Sequence, residues 1–221
     1  MRKETVEQKV YQLIKNAILR RQIAPGNQLF ESAIAAKVNA SRTPIRSAIS
    51  KLEAEGLVDV IPNKGAFIVQ PTMEEMIQAF KMRKVLEEMA IREGYSKLVK
   101  THIELLKSHT EEMSKAFEAG EMLVYHEQNK AFHLVMANAS GNRYLIGFMD
   151  KILNQITIYM ILYDVFSEND ENDLLEHHQM IQLIEMNDVE SLLEVVTKHL
   201  NHSLAKLEDD KLKYQSLTKL F

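Results

Sequence analysis

Residues Ser41–Val58 read SRTPIRSAISKLEAEGLV, and the spacing within them decides the first fold assignment. Ile45, Ala48, Ile49 and Leu52 recur at helical intervals, Ser41 stands at an N-cap position, and Pro44 falls in the first turn, where its missing N–H costs nothing. The stripe ends near Gly56. Beyond it the period changes, so that 57–61 and 66–69 read as two short strands joined by the turn Pro62-Asn63-Lys64-Gly65. Upstream, Val6, Val10, Leu13, Ile14, Ala17 and Ile18 mark a helix stopped by Pro25-Gly26, and Glu31–Lys37 fits a second, shorter helix. Three short helices followed by a hairpin, in about 70 residues with a positive balance, form the pattern of a winged helix-turn-helix.

Composition places a boundary at the end of that pattern. The 221-residue chain is 46% apolar and 26% charged, with a formal net charge of −4 and no cysteine. Residues 1–71 carry 11 Lys/Arg against 6 Asp/Glu, whereas residues 72–221 carry 16 against 25. All four prolines lie at or before position 71, and all eight histidines lie after it. Lack of cysteine excludes disulfides, thiolate metal sites and cysteine nucleophiles, and fits a reducing cytoplasm. The N-terminus has no signal-peptide core, and the longest apolar run, Ile156–Tyr163 (ITIYMILY), is shorter than the roughly 20 residues of a membrane span. A cytoplasmic protein without membrane contact is therefore expected, with that run in a buried core helix.

Beyond Pro71 the pattern is helical throughout, with amphipathic stretches at 73–97, 101–118, 121–138, 143–165, 171–186 and 188–207. Gly120, Gly141-Asn142, Ser167–Asp170 and Asn187-Asp188 separate them, and Asn142 is suited to cap the helix that follows. A proline-free stretch of this length fits an all-α bundle. The expected architecture is mainly α: a winged helix-turn-helix over 1–71, a linker over 72–78, and an all-helical domain over 79–221.

In the first part, Arg42 and Arg46 lie four positions apart at the start of the third helix, so both project from one face. Arginine there can donate two hydrogen bonds to guanine O6 and N7, and Ser41 or Thr43 can reach a phosphate or base edge. Lys64 has the reach to touch DNA from the hairpin tip. The same arginines also fit a solvated helix face. The stretches PGNQLF (from Pro25), SRTPIRSAISKLEAEGLV (from Ser41) and PNKGAFIV (from Pro62) resemble the N-terminal domain of the GntR family of bacterial transcriptional regulators. The resemblance implies operator reading by Arg42, Thr43 and Arg46, with the wing supplied by Asn63, Lys64 and Gly65. Many members carry an arginine at the start of the second helix; Glu31-Ser32-Ala33 has none.

In the second part, Asn129 and His133 are i and i+4 on one predicted helix, and His177 and His199 fall on two others. Three imidazoles and an amide oxygen can build a metal site in the centre of a bundle, although spacing alone does not bring them together. The stretches MRKVLEEMA (82–90), FHLVMANASGNRYL (132–145), EHHQMIQLIEMND (176–188) and Lys198-His199-Leu200 resemble the FCD effector-binding domain of the FadR-type branch of that family. The resemblance implies a divalent metal held by Asn129, His133, His177 and His199, and a small carboxylate effector beside it. Aspartate is commoner than asparagine at the first of these positions, so this set leaves the ion its full charge, weakening metal binding and strengthening attraction for an anion. Nitrogen-rich ligation suits zinc or nickel. Arg83 resembles an arginine that enters the effector pocket in some relatives, and equally fits a salt bridge to Glu87 one turn on. His126 is an alternative to Asn129 in the shell.

The segment His126-Glu127-Gln128-Asn129-Lys130 begins like HExxH but ends on lysine, so the zincin motif fails and no enzyme is expected. The resemblance implies a repressor that binds a palindromic operator as a homodimer, with effector binding altering operator affinity. A regulator that senses the metal alone is the alternative.

Overall fold

A computed structural model describes residues 5–163 and 170–209, and these fall in two compact units divided between Pro71 and Thr72. In the first unit, α1 (Val6–Leu19) opens on a capping box: the Thr5 hydroxyl accepts the Gln8 N–H at 3.2 Å, and Gln8 Oε1 accepts the Thr5 N–H at 2.9 Å. Its buried face, Val10, Ile14, Ala17 and Ile18, packs on α3 (Arg42–Ala54), which buries Ile45, Ala48, Ile49 and Leu52. Between them, α2 (Glu31–Val38) ends on Asn39 in the left-handed region at φ 49°, which starts the turn into α3. Ser41 occupies the N-cap of α3, but its hydroxyl makes no capping bond.

The sheet has one strand more than the hairpin read from sequence. β2 (Val58–Ile61) and β3 (Gly65–Ile68) pair antiparallel as expected, and β1 (Gln28–Leu29) adds to the other edge of β3 in the order β1-β3-β2, with Gln28 opposite Phe67 and Leu29 opposite Ala66. At two residues, β1 shows no alternation for a sequence pattern to catch.

The second unit comprises α4 (Met73–Gly94), a 3₁₀ turn (Tyr95–Lys97), α5 (Lys100–Ala119), α6 (Met122–Ser140), α7 (Arg143–Leu162), α8 (Asp170–Glu185) and α9 (Val189–Asp209). Left-handed Gly120 and Gly141 end α5 and α6, and Asn142 accepts the N–H groups of Tyr144 and Leu145 to start α7, as the sequence punctuation implied. The break expected at Ser167–Asp170 lies mostly outside the described residues. Residues 72–78, read as a linker although the helical pattern already begins at 73, are the N-cap and first turns of α4. Thr72 and Glu75 form a capping box, with Glu75 Oε2 2.7 Å from the Thr72 N–H and the Thr72 hydroxyl 3.2 Å from the Glu75 N–H.

The bundle centre holds Ala90 from α4, Ala137 from α6, and Leu145, Met149 and Leu153 from α7, flanked by Leu86, Leu134 and Ile152. Among the described residues, α7 alone is long and apolar enough to cross a membrane, a length that Ile156–Tyr163 does not convey by itself; half of its most apolar stretch is buried in the bundle. α4 meets α6 where Gly94 lies against the backbone of Ala139 and Ser140. A Cβ on Gly94 would sit 2.7 Å from the Ser140 nitrogen. Gly94→Ala is thus expected to cost about 1–3 kcal/mol by overpacking, seen as a lower urea midpoint at unchanged slope; an unchanged midpoint would show that the two helices separate freely.

Candidate DNA-reading surface and buried histidine site

Arg42, Thr43 and Arg46 are exposed on the first turns of α3, with Ser41 exposed just ahead of them. Asn63, Lys64 and Gly65 are exposed at the tip of the β2–β3 hairpin, where Asn63 adopts φ 61° and Gly65 φ 107°. The tip is anchored from β1: Gln28 Nε2 donates to the Lys64 carbonyl at 2.7 Å, which leaves the Lys64 ammonium outside that bond. The surface includes one residue that the sequence reading did not pair with DNA contacts. Arg46 Nε donates to both carboxylate oxygens of Glu31, at 2.9 and 3.2 Å.

In the second unit, α6, α8 and α9 bring three of the expected residues together in the interior. One ligand nitrogen from each of His133, His177 and His199 lies within 4.8 Å of the others, and all three side chains are buried. His133 Nε2 and His177 Nε2 are 3.4 Å apart. Each Nδ1 is engaged elsewhere: His133 with Glu87 Oε2 at 3.1 Å, His177 with the Asp173 carbonyl at 2.5 Å, and His199 with Glu176 Oε2 at 3.1 Å. These partners are acceptors, so each Nδ1 carries a proton, and the Nε2 atoms of His133 and His177 face each other. Asn129 lies one turn before His133 on the same face of α6, and its buried Oδ1 has no hydrogen-bond partner. His199 Nε2 is likewise buried without a partner.

Burial pushes the His133 ring down to about 4, with Glu87 opposing, and holds His177 well below the usual imidazole range, so both rings are neutral near pH 7. Phe132 closes one side, edge-on to His177 with ring centroids 4.5 Å apart.

Arg83 makes the salt bridge to Glu87 that its spacing allows. Its side chain is buried, Nε donates to Glu87 Oε1 at 2.6 Å, and Nη2 is buried without a hydrogen-bond partner. Glu87 therefore joins Arg83 to His133, a link not anticipated from the sequence. Burial alone would raise the Glu87 carboxyl, but His133 and Arg83 outweigh it and hold the group ionised. His126 is also buried, and burial lowers it to about 4, but it lies outside the set of three histidines. A second group, Asp173, Glu176 and His199, also has metal-like spacing. Lys206 Nζ is 2.7 Å from Asp173 Oδ2 and Glu176 Oε2 accepts from His199 Nδ1, while Asp173 Oδ1 is buried without a hydrogen-bond partner.

The FCD domain family matches residues 78–202, and the family described as bacterial regulatory proteins, gntR family, matches residues 6–68. The chain belongs to the FCD-bearing branch of the GntR family. It is 26% identical to the HTH-type transcriptional regulator YdhC of Bacillus subtilis over 90% of this chain and 89% of the relative. It is 21% identical to the HTH-type transcriptional repressor RspR of Escherichia coli over 89% and 86%. A GntR regulator from Rhodococcus sp. RHA1 shares the fold at a TM-score of 0.74, 18% identity and coverage of 91% and 97%. This GntR protein is thus a DNA-binding transcriptional regulator and not an enzyme.

Glu87→Ala would leave the Arg83 guanidinium buried without its carboxylate. A loss of about 3–5 kcal/mol is expected in chemical unfolding, and a loss below about 1 kcal/mol would show that the pair is not a buried ionic contact.

Proposed function

We propose that this regulator is a cytoplasmic, homodimeric repressor whose all-helical domain holds a divalent transition metal and a small carboxylate that alters operator affinity. Residues 1–71 would bind a palindromic operator through Ser41, Arg42, Thr43 and Arg46 on α3 and through Asn63, Lys64 and Gly65 in the wing. Residues 79–221 would sense the effector and dimerise. Repression follows the name of the relative RspR.

The observation that carries the metal is the 3.4 Å approach of two bare imidazole lone pairs, those of His133 and His177. With both rings neutral and both Nδ1 protons already donated, that contact repels unless a cation lies between. The separation matches the edge of a tetrahedron of nitrogens around zinc, about 3.3 Å for metal–nitrogen bonds of 2.0–2.1 Å. His133, His177, His199 and Asn129 would hold the ion, which when bound supplies a positive centre for a carboxylate. The unpartnered Nη2 of Arg83 favours an organic anion over sensing of the metal alone, because it offers a second buried donor for a carboxylate oxygen. Arg83 and Glu87 lie on α4, whose N-cap directly follows Pro71, so the helix that reads the effector is also covalently next to the DNA-binding unit. Coupling of about 1–3 kcal/mol would change operator affinity some 5–150-fold.

Exposed apolar side chains support a reading of where the dimer would form. Met82, Val85 and Met89 recur on one face of α4, and Tyr144 and Phe148 on one face of α7, each at least 42% exposed. These helices pack together through Ala90, Leu145, Met149 and Leu153, and exposed apolar side chains of this kind mark an interface. A second copy fits because a winged helix reads one half-site and a two-fold axis supplies the other.

Protein purified without chelator is expected to contain about one zinc or nickel ion per chain by elemental analysis, to lose it in His133→Ala, and to hold it more tightly in Asn129→Asp. Full occupancy in His133→Ala would sink the site. Light scattering should give the mass of two chains for the wild type and of one for the double variant Val85→Glu/Phe148→Glu; a dimeric double variant would place the interface elsewhere.

A further inference from the structure

Arg46 is proposed above as a base reader, yet it is ion-paired. Its guanidinium Nε donates to Glu31 Oε2 at 2.9 Å and Oε1 at 3.2 Å, while its side chain remains 68% exposed and that of Glu31 only 32%. Both bonds engage Nε, the edge nearest the aliphatic stem. The two terminal nitrogens, which form the fork that fits O6 and N7 of guanine, lie outside them.

Glu31 is the first residue of α2, where a carboxylate suits the helix dipole. The first helix of a helix-turn-helix crosses the DNA backbone, and its N-terminal N–H groups are natural phosphate donors. A carboxylate at that end repels phosphate, so Glu31 is poorly suited to hold the backbone itself. Its effect on Arg46 is twofold: it cancels the charge that would draw a free arginine to the nearest phosphate, and it fixes the plane of the guanidinium.

We infer that Glu31 is a positioning and specificity-determining residue, which orients Arg46 toward a guanine edge and keeps it from serving as a phosphate clamp. The inference rests on the base-reading role of Arg46 proposed above, and the test separates the two.

Full-length wild type, Arg46→Ala, Glu31→Ala and Glu31→Gln would each be used to select binding sites from a random-sequence duplex library. Affinity for a fixed non-specific duplex, poly(dI-dC), would be measured alongside. The wild-type motif is expected to contain one guanine per half-site whose preference disappears in Arg46→Ala. Glu31→Ala should flatten that same position while binding poly(dI-dC) more tightly, with a salt dependence steeper by about one phosphate contact. Glu31→Gln, which keeps the shape and loses the charge, should fall between them. If Arg46→Ala flattens a position that both Glu31 variants retain, the inference is overturned and the role of Arg46 stands. If Arg46→Ala flattens none, Arg46 is no base reader and the inference falls with it. A merely structural contact would weaken selected and non-specific DNA together, and that result would also overturn it.

Discussion

The buried carboxylate of Glu87 is the constraint on which the helical domain depends. It comes from the middle of α4, has almost no contact with solvent, and meets two partners at once, the Arg83 guanidinium and the His133 imidazole. Removing one such ion from water costs several kcal/mol, and only a close opposite charge with additional hydrogen bonds offsets that. Glu87 has both. The consequence reaches beyond stability, because its bond to Nδ1 sets the tautomer of His133 and turns the Nε2 lone pair inward. Glu176 accepts from the Nδ1 of His199, and the backbone of Asp173 from that of His177. Three rings from three helices are thus held together by acceptors that the sequence scatters over 90 positions, from Glu87 to Glu176.

The two units solve different electrostatic problems with the same kind of pair. In the helical unit, Arg83 and Glu87 are both buried, so their pairing is obligatory, and it leaves the buried Nη2 of Arg83 without a hydrogen-bond partner. On the winged unit, Arg46 and Glu31 are in contact with water, where an ion pair is worth little to stability. What such a surface pair can do is limit where a long side chain points. The net charge of −4 hides this division: a basic unit and an acidic one are averaged into a number that describes neither.

Much of this was legible in the sequence, for physical reasons that differ by element. Helix ends in the second unit were readable because Gly120, Gly141 and Asn142 do their work locally, in left-handed caps and an N-cap that need no distant partner. The histidines were readable as candidates because i, i+4 spacing puts Asn129 and His133 on one face, but their convergence with His177 and His199 depends on packing between helices. The Arg83–Glu87 pair was visible as a local spacing; its continuation to His133, 46 residues away, was not. Glu31 was noticed only as a departure from an arginine in relatives, since nothing in a carboxylate at position 31 points to an arginine at position 46. Thr72 was read as part of a linker, although Thr72 and Glu75 spell a capping box that begins a helix.

Charge balance inside the helical domain gives the proposed effector its chemistry. The inner set of three imidazoles and one amide contributes no negative charge. Glu87 is matched by Arg83, while Asp173 is matched by Lys206, and Glu176 sits among His199, His202 and Lys198. A divalent ion held by the three imidazoles and the amide alone would keep its full charge, in a region where burial makes an uncompensated charge costly. A carboxylate ligand supplies that missing charge, and Arg83 Nη2 offers one of its oxygens a donor. On the proposed reading, then, metal and anion each bind better in the presence of the other, and an aspartate at position 129 would loosen the dependence by supplying part of the charge from the protein.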